Sequence, residues 1–364
     1  MKFKFIKKYF IGLSLIALGS LSFIACSGTN KKKSNTTETA KDSLKVIKVD
    51  PANFVTDGVT VTIVPCTLSN GTKTDCYQIV ANSIPSDHQV GPWCPTNISD
   101  DAAAGGIWLE NGEVYDVDGE FIKELATFYD DSTWLMYDNQ GDIFVTNSLE
   151  DCENAANPNV GEEYKNFCVE CLPSYITEVS PSFLIPVTPI LQETPILFSS
   201  GPRGPKPSEE ADGHQPPERP RNGERPEHPD RPEHPRGNNI PSTRGVALNG
   251  IEFSAPAPTD NILSAYTLAP FDDAGGHINV HQGYHYHAAT GFSTKIKQED
   301  GHAALIGYAL DGIGIYELKD INGNEASGLD KLRGHSDNTR GYHYHVDKAG
   351  SNNFINGLKG AYPN

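Results

Sequence analysis

Two stretches of this chain share one spacing, and a repeated spacing asks for a repeated local structure. Residues 271–287 read F-D-D-A-G-G-H-I-N-V-H-Q-G-Y-H-Y-H, and residues 329–345 read L-D-K-L-R-G-H-S-D-N-T-R-G-Y-H-Y-H. Each is an apolar residue, Asp, three residues, Gly-His, five residues, then Gly-Tyr-His-Tyr-His. The copies lie 58 positions apart and carry six of the twelve histidines at matched places. Successive side chains of a strand point to opposite faces, so Tyr-His-Tyr-His puts both imidazoles on one face and both phenols on the other.

Two imidazoles at positions i and i+2 can converge on one ion with metal–nitrogen bonds of about 2 Å. His285 with His287, and His343 with His345, meet that condition. His277 and His335 precede each Gly-Tyr-His-Tyr-His, and the intervening loop can fold back to add a third imidazole. Asp272 and Asp330 are candidates to ligate or to orient a histidine from behind. His281 and His302 have no partner in the other copy and rank lower. Gly283 and Gly341 suit a tight turn, and the tyrosines suit burial with a partner for each hydroxyl. All-histidine ligation fits a transition metal, zinc or copper foremost. One shared ion and two separate ions fit the sequence equally; a shared ion requires the two strands to lie close together. The competing expectation is that the repeats only stabilise the fold, since Tyr and His also fill ordinary half-exposed strands.

The N-terminus reads as an export signal. Lys2, Lys4, Lys7 and Lys8 precede an apolar run from Phe10 to Ile24, ending at Ala25-Cys26. A small residue before Cys resembles the cleavage site of bacterial lipoproteins, which implies a signal peptide over 1–25 and a lipidated Cys26. Residues 26–59 then form a tether, Ser/Thr/Asn/Lys-rich through Lys41, and a domain follows over 60–364. The expected location is the bacterial cell envelope, with the membrane as partner through the lipid. The formal net charge of −18 argues against nucleic acid, whose phosphates need clustered Lys and Arg. A protein or glycan partner is left open.

Apart from Cys26 there are six cysteines, an even number that favours disulfides in an exported chain. Cys66 and Cys76 flank a turn and suit a hairpin-closing bridge. Cys94 with Cys152 and Cys168 with Cys171 would complete the set. A redox or zinc pair at Cys168-x-x-Cys171 is the rival reading.

The fold class expected is mainly β: one large β-rich domain with short helices at most, supported by disulfides. Asn-Gly at 111–112, Asp-Gly at 118–119, Asp-Asn-Gln-Gly at 138–141, Asn-Gly at 249–250 and Asp-Gly at 311–312 read as turns between short apolar runs. Prolines 181, 186, 189 and 195 exclude a regular helix over 179–198 and leave it extended. Residues 201–237 hold ten of the 26 prolines and almost no apolar side chain, which reads as a disordered insertion. His214, His228 and His234 fall there.

The paired Gly-Tyr-His-Tyr-His motifs, the segments Gly245–Gly250 and Gly307–Tyr316, and the earlier Cys76-Tyr77 and Gly91-Pro92-Trp93-Cys94-Pro95 resemble the bacterial YHYH-domain proteins. The resemblance spans about residues 60–364 and makes the proline-rich stretch an insertion within one domain. It implies location and fold rather than a reaction. The family pattern often has Cys at the positions of Ala274, Leu332 and Leu358, so any bridge there is missing from this chain. The resulting expectation is an exported, membrane-tethered protein that binds a transition metal, with hydrolase or oxidase chemistry as an option. An envelope binding module presenting a Tyr/His face is the alternative. There is no G-x-S-x-G, P-loop or H-E-x-x-H sequence to name an enzyme class.

Overall fold

The computed structural model describes residues 44–155, 160–198 and 240–364. The leader, Cys26, the tether before residue 44 and the stretch 201–237 with its three histidines lie outside the described residues. The strands in chain order are β1 Val59–Thr67, β2 Lys73–Ala81, β3 Ile107–Glu110, β4 Glu113–Asp116, β5 Ser182–Pro186, β6 Leu191–Leu197, β7 Thr243–Ala247 and β8 Glu252–Ser254. They continue as β9 Gly276–Asn279, β10 Gly283–Tyr286, β11 Leu305–Ala309, β12 Gly314–Tyr316, β13 Gly334–Asp337, β14 Gly341–His345 and β15 Gly357–Gly360. Helices α1 Gly119–Phe128, α2 Leu149–Ala155 and α3 Thr259–Ser264 are short. The protein is mainly β, as its turn chemistry requires.

The centre of the fold is an eight-stranded sheet in the order β13-β14-β12-β11-β7-β8-β10-β9. It consists of one four-stranded module used twice. In each module a tight hairpin (β7–β8 or β11–β12) pairs antiparallel, and its second strand pairs parallel with a Gly-Tyr-His-Tyr-His strand. That strand then pairs antiparallel with its own Gly-His strand. The modules meet where β7 and β11 run antiparallel, with Val246 opposite Tyr308, Gly245 opposite Ala309 and Ala247 opposite Gly307. Gly245-x-Ala247-Leu248-x-Gly250-Ile251 and Gly307-x-Ala309-Leu310-x-Gly312-Ile313 are one motif. Their register is therefore symmetric about the Val246–Tyr308 pair, and a pseudo-twofold axis passes there.

The phenol face of the sheet is its core face. Tyr284, Tyr286, Tyr342 and Tyr344 share one buried cluster with Phe253, Ile313, Ile315 and Phe354. Ala274, Leu332 and Leu358 belong to the same cluster. At these three positions the histidine loops are held by apolar packing.

The segments before the sheet wrap it. β1 and β2 form a hairpin closed by Cys66–Cys76, and β5 extends it on the far side of β2. Residues 179–198 are extended as the prolines demand, giving β5 and then β6, which pairs with β15. Packing begins earlier than residue 60. The Val49 N–H donates to Val187 O and that of Val55 to Leu248 O, and Val49 and Phe54 are buried, so residues 44–58 belong to the packed unit.

Three readings of the middle region are corrected. Asp118-Gly119 is not a hairpin turn. Asp118 caps α1, its Oδ1 accepting from the Phe121 N–H at 2.7 Å, and Ile122 and Leu125 are buried on one face. Around Asp138–Gly141 the hairpin reduces to a single bridge between Tyr137 and Ile143. The remaining cystines join Cys94 to Cys168 and Cys152 to Cys171. Cys168 bridges in parallel to Val145 and Leu268, which marks extended chain there. Residues three apart on extended chain stand about 10 Å apart at Cα, too far for a disulfide. Cys168-x-x-Cys171 therefore closes on two different partners and is neither a redox pair nor a zinc pair.

Candidate metal centres

The two modules carry one histidine cluster each, at opposite ends of the sheet. Five strand spacings separate β10 from β14, about 24 Å along a flat sheet. The histidines therefore fall into two separate groups, too far apart to share one ion.

At the first centre His277 on β9 stands opposite His285 on β10, and His287 follows two residues on. His277 Nε2 lies 3.2 Å from Nε2 of His285 and 3.2 Å from Nε2 of His287. At the second centre His335 on β13 stands opposite His343 on β14. His335 Nε2 lies 3.0 Å from His343 Nε2 and 3.2 Å from His345 Nε2. The six matched histidines are brought together in threes. A fourth imidazole joins the second centre: His302 Nε2 lies 3.1 Å from His343 Nε2. His281, by contrast, is exposed and belongs to neither cluster.

The other ring nitrogen of nearly every histidine is tied to a backbone carbonyl. His285 Nδ1 faces Gly283 O and His343 Nδ1 faces Gly341 O, at 3.1 and 2.9 Å. His287 Nδ1 faces Ala255 O and His345 Nδ1 faces Glu317 O, at 2.6 and 2.8 Å. His335 and His302 use Ser327 O and Ala303 O. A carbonyl only accepts, so Nδ1 carries the proton in each, and Nε2 presents a bare lone pair. Burial holds the rings of His277, His285, His287, His343 and His345 neutral. It pushes His285 and His343 down to about 4 and His345 to about 3, and His277 and His287 well below 6.5.

Bare nitrogens about 3 Å apart cannot hydrogen-bond to one another and repel. A cation between them reverses the sign. With metal–nitrogen bonds of 2.0–2.1 Å, tetrahedral ligands stand about 3.3 Å apart, close to the spacing seen. Both groups, His277–His285–His287 and His302–His335–His343–His345, can hold a metal ion, with their ligand atoms within 4.8 Å of one another.

The phenols buttress this arrangement. The Tyr284 hydroxyl donates to Asp272 and the Tyr342 hydroxyl to Asp330, each at 2.9 Å. The backbone N–H groups of Gly276 and Gly334 donate to the same carboxylates. Asp272 and Asp330 were expected to ligate or to orient histidines. Their hydrogen bonds go instead to phenols and backbone, because they sit on the tyrosine side of the sheet. Tyr286 is held by Asn249 Nδ2 at 2.8 Å, and Tyr344 donates to Asp311 at 2.7 Å. Asn249 and Asp311 occupy matched turn positions, so this support is duplicated as well.

His302, which the sequence reading ranked lower, joins the second group. Its matched position, three residues before β7 rather than β11, is Ile240, so the repeat gave no sign of it. The remaining signal was its Gly-His dipeptide, shared with His277 and His335 but also with His214. Arg340, in the turn between β13 and β14, holds it in place. The guanidinium donates to both oxygens of Asp300 and to Asp337, and Asp300 accepts from the His302 N–H.

Three disulfides mark a chain folded in an oxidising, exported environment. Among the described residues no helix is long and apolar enough to cross a membrane. No curated protein matches the chain, and no solved structure does. A family model described as YHYH protein matches residues 224–327, a span that contains the first centre and His302. The second Gly-Tyr-His-Tyr-His unit lies just beyond the match and repeats the first in register, hydrogen bonds and buttressing. On this match, residues 224–327 are similar to the YHYH protein family, and the Gly-Tyr-His-Tyr-His motif inside the match recurs in the second unit.

Proposed function

We propose that this is an exported protein that binds two transition-metal ions, one in each module of the duplicated sheet. The observation that carries the reading is the set of converging Nε2 lone pairs, all but that of His277 bared by an Nδ1–H tied to a carbonyl. Neutral imidazole ligation without carboxylate or sulfur favours zinc or copper(II) over magnesium, calcium or copper(I). The leader sequence and Cys26 support a lipid anchor that tethers the domain to the envelope membrane.

Elemental analysis of the purified chain tests this. Two equivalents of zinc or copper are expected after expression in metal-replete medium. Changing His285 and His287 to Ala should leave one, and changing His343 and His345 should leave the other, because sites so far apart act independently. A folded wild type with no stoichiometric metal sinks the proposal. Fatty-acid labelling lost on Cys26→Ser tests the anchor separately.

A further inference from the structure

The duplicated modules differ where their metal centres meet the rest of the protein. Along β8 and β12 the residues facing the histidines are not the same. Tyr286 pairs with Phe253 and Tyr344 with Ile315, which places Ser254 and Tyr316 at matched positions beside His287 and His345. The Tyr316 ring packs 5.0 Å from the rings of His302 and His343 and 6.1 Å from that of His345. It packs against one side of the second centre, and His302 places a fourth nitrogen there. At the first centre a serine stands in place of the tyrosine ring and Ile240 in place of the fourth histidine.

What fills that space is a cleft. A cavity of about 390 Å³ opens onto His277, His285 and His287 together, and Ser254 lines it. The cavity beside the second centre, about 310 Å³, is lined by His343 but not by His302, His335 or His345. Trp93, Pro256, Ile262 and Pro270 give the first cleft apolar walls, and Glu170 brings a carboxyl group into it. Burial pushes that carboxyl upward, so it keeps its proton, and its capacity to donate, to higher pH than an exposed one. Glu252, which has glycine as its counterpart at 314, pairs with His285 across the strands. Its Oε1 is buried without a hydrogen-bond partner among the described residues.

We propose that only the His277–His285–His287 centre takes an exogenous ligand, water at rest and a small monoanion in exchange, while the four-histidine centre is closed. This rests on the two-ion reading above. Three neutral imidazoles leave the positive charge of the ion uncancelled and one tetrahedral position unfilled. An anion entering from the cleft supplies both, and the apolar walls suit one that carries a short hydrocarbon body, such as a small carboxylate. At the second centre the fourth imidazole takes the position that the anion takes at the first.

The test is titration of the full chain, loaded with cobalt(II), with sodium azide, following the visible absorption of the metal. The metal count is measured first: fewer than two ions refutes the two-ion reading itself. With two ions bound, one azide per chain is expected. Ser254→Tyr, which copies the second centre onto the first, should abolish the response while both ions stay bound. His302→Ala should add a second azide equivalent, and it stands as an independent arm should the tyrosine variant not fold. Zero or two equivalents in the wild type overturns the proposal. So does an unchanged response in metal-replete Ser254→Tyr.

Discussion

The Tyr344 hydroxyl donates to Asp311 Oδ2 at 2.7 Å, with both side chains fully buried. The same carboxylate accepts from the Gly360 N–H at 2.9 Å and the Ile313 N–H at 3.2 Å. One side chain thus joins the hairpin turn, a histidine strand and the C-terminal strand. Replacing it with Ala leaves buried donors without acceptors, at about 1–3 kcal/mol each. Asp311→Ala should lose roughly 3 kcal/mol or more in denaturant unfolding; a loss under about 1 kcal/mol would show that the network contributes little.

Asp311→Asn, the residue at matched position 249, isolates the ionisation. Burial, the largest influence, pushes the Asp311 carboxyl up to about 6 from 3.8. The unfolded chain then releases the proton first, so this group's contribution is full below pH 3.8 and declines as pH rises through 6. The asparagine cannot titrate. The stability of the wild type relative to Asp311→Asn should therefore fall between pH 4 and pH 6.5. A difference flat across that window contradicts the assignment.

Gly276 and Gly334 explain the Gly of each Gly-His pair. A Cβ at Gly276 would overlap the Tyr284 ring, and one at Gly334 the Tyr342 ring. The glycine makes room for the phenol that Asp272 or Asp330 anchors, and the next residue is the histidine that faces the cluster. Gly334→Ala should displace Tyr342, shift β14 and weaken metal binding at the second centre at least tenfold, leaving the first unchanged. Competition with a chromophoric chelator reads both affinities. Equal weakening at both centres would point to general destabilisation instead.

The centres were legible in the sequence because strand alternation and matched spacing act locally. His277, His285 and His287 need only one hairpin to converge, and so do His335, His343 and His345. His302 was not legible because it reaches its centre through Arg340 and Asp300, a long-range clamp with no periodic signature. The true partners of Cys94 and Cys152 were hidden for the same reason: pairing across 74 and 19 residues depends on tertiary packing. The Asp118 cap was misread because Asp-Gly serves both turns and helix starts, and only the following Phe121-Ile122-x-x-Leu125 decides between them. The separation of the sites depended on sheet order, which puts four strands between the two modules' histidine strands.

The Cys94–Cys168 bridge closes a long loop and stands at the first cleft. Cys94 N–H donates to Glu170, and Val169, Glu170 and Cys171 line the cavity. In the chain-entropy picture a separation of 74 is worth about 4.5 kcal/mol, against roughly 2.7 for the separation of 10 between Cys66 and Cys76. The Cys94→Ser/Cys168→Ser double variant should therefore lose more stability than Cys66→Ser/Cys76→Ser. It should also weaken ligand exchange at the first centre alone. Unfolding curves and azide titration of the two double variants check the pair of claims, and an equal loss in both curves would contradict the ordering.

Acid release of the metal follows from the same burial that bares the lone pairs. In the folded chain His285 and His343 titrate at about 4 and His345 at about 3, with His277 and His287 well below 6.5. A depressed value means that the neutral, ligating form persists as pH falls, and protons compete with the metal only near the folded value. Three ordinary imidazoles would lose about a thousandfold in affinity for each pH unit below 6.5, tenfold per ligand. At the first centre, where all three imidazoles are depressed, affinity should stay within about tenfold from pH 7 to pH 5 and collapse below about 4. Below 6.5 the metal-free chain also loses the stability its neutral histidines contribute, as the unfolded state takes up protons first. Cobalt(II) absorption at fixed free metal, read from pH 7 to pH 3.5, measures the release directly. A midpoint near 6 would mean that the imidazoles titrate as solvent-exposed groups and that the clusters are not the buried, neutral ligand sets described.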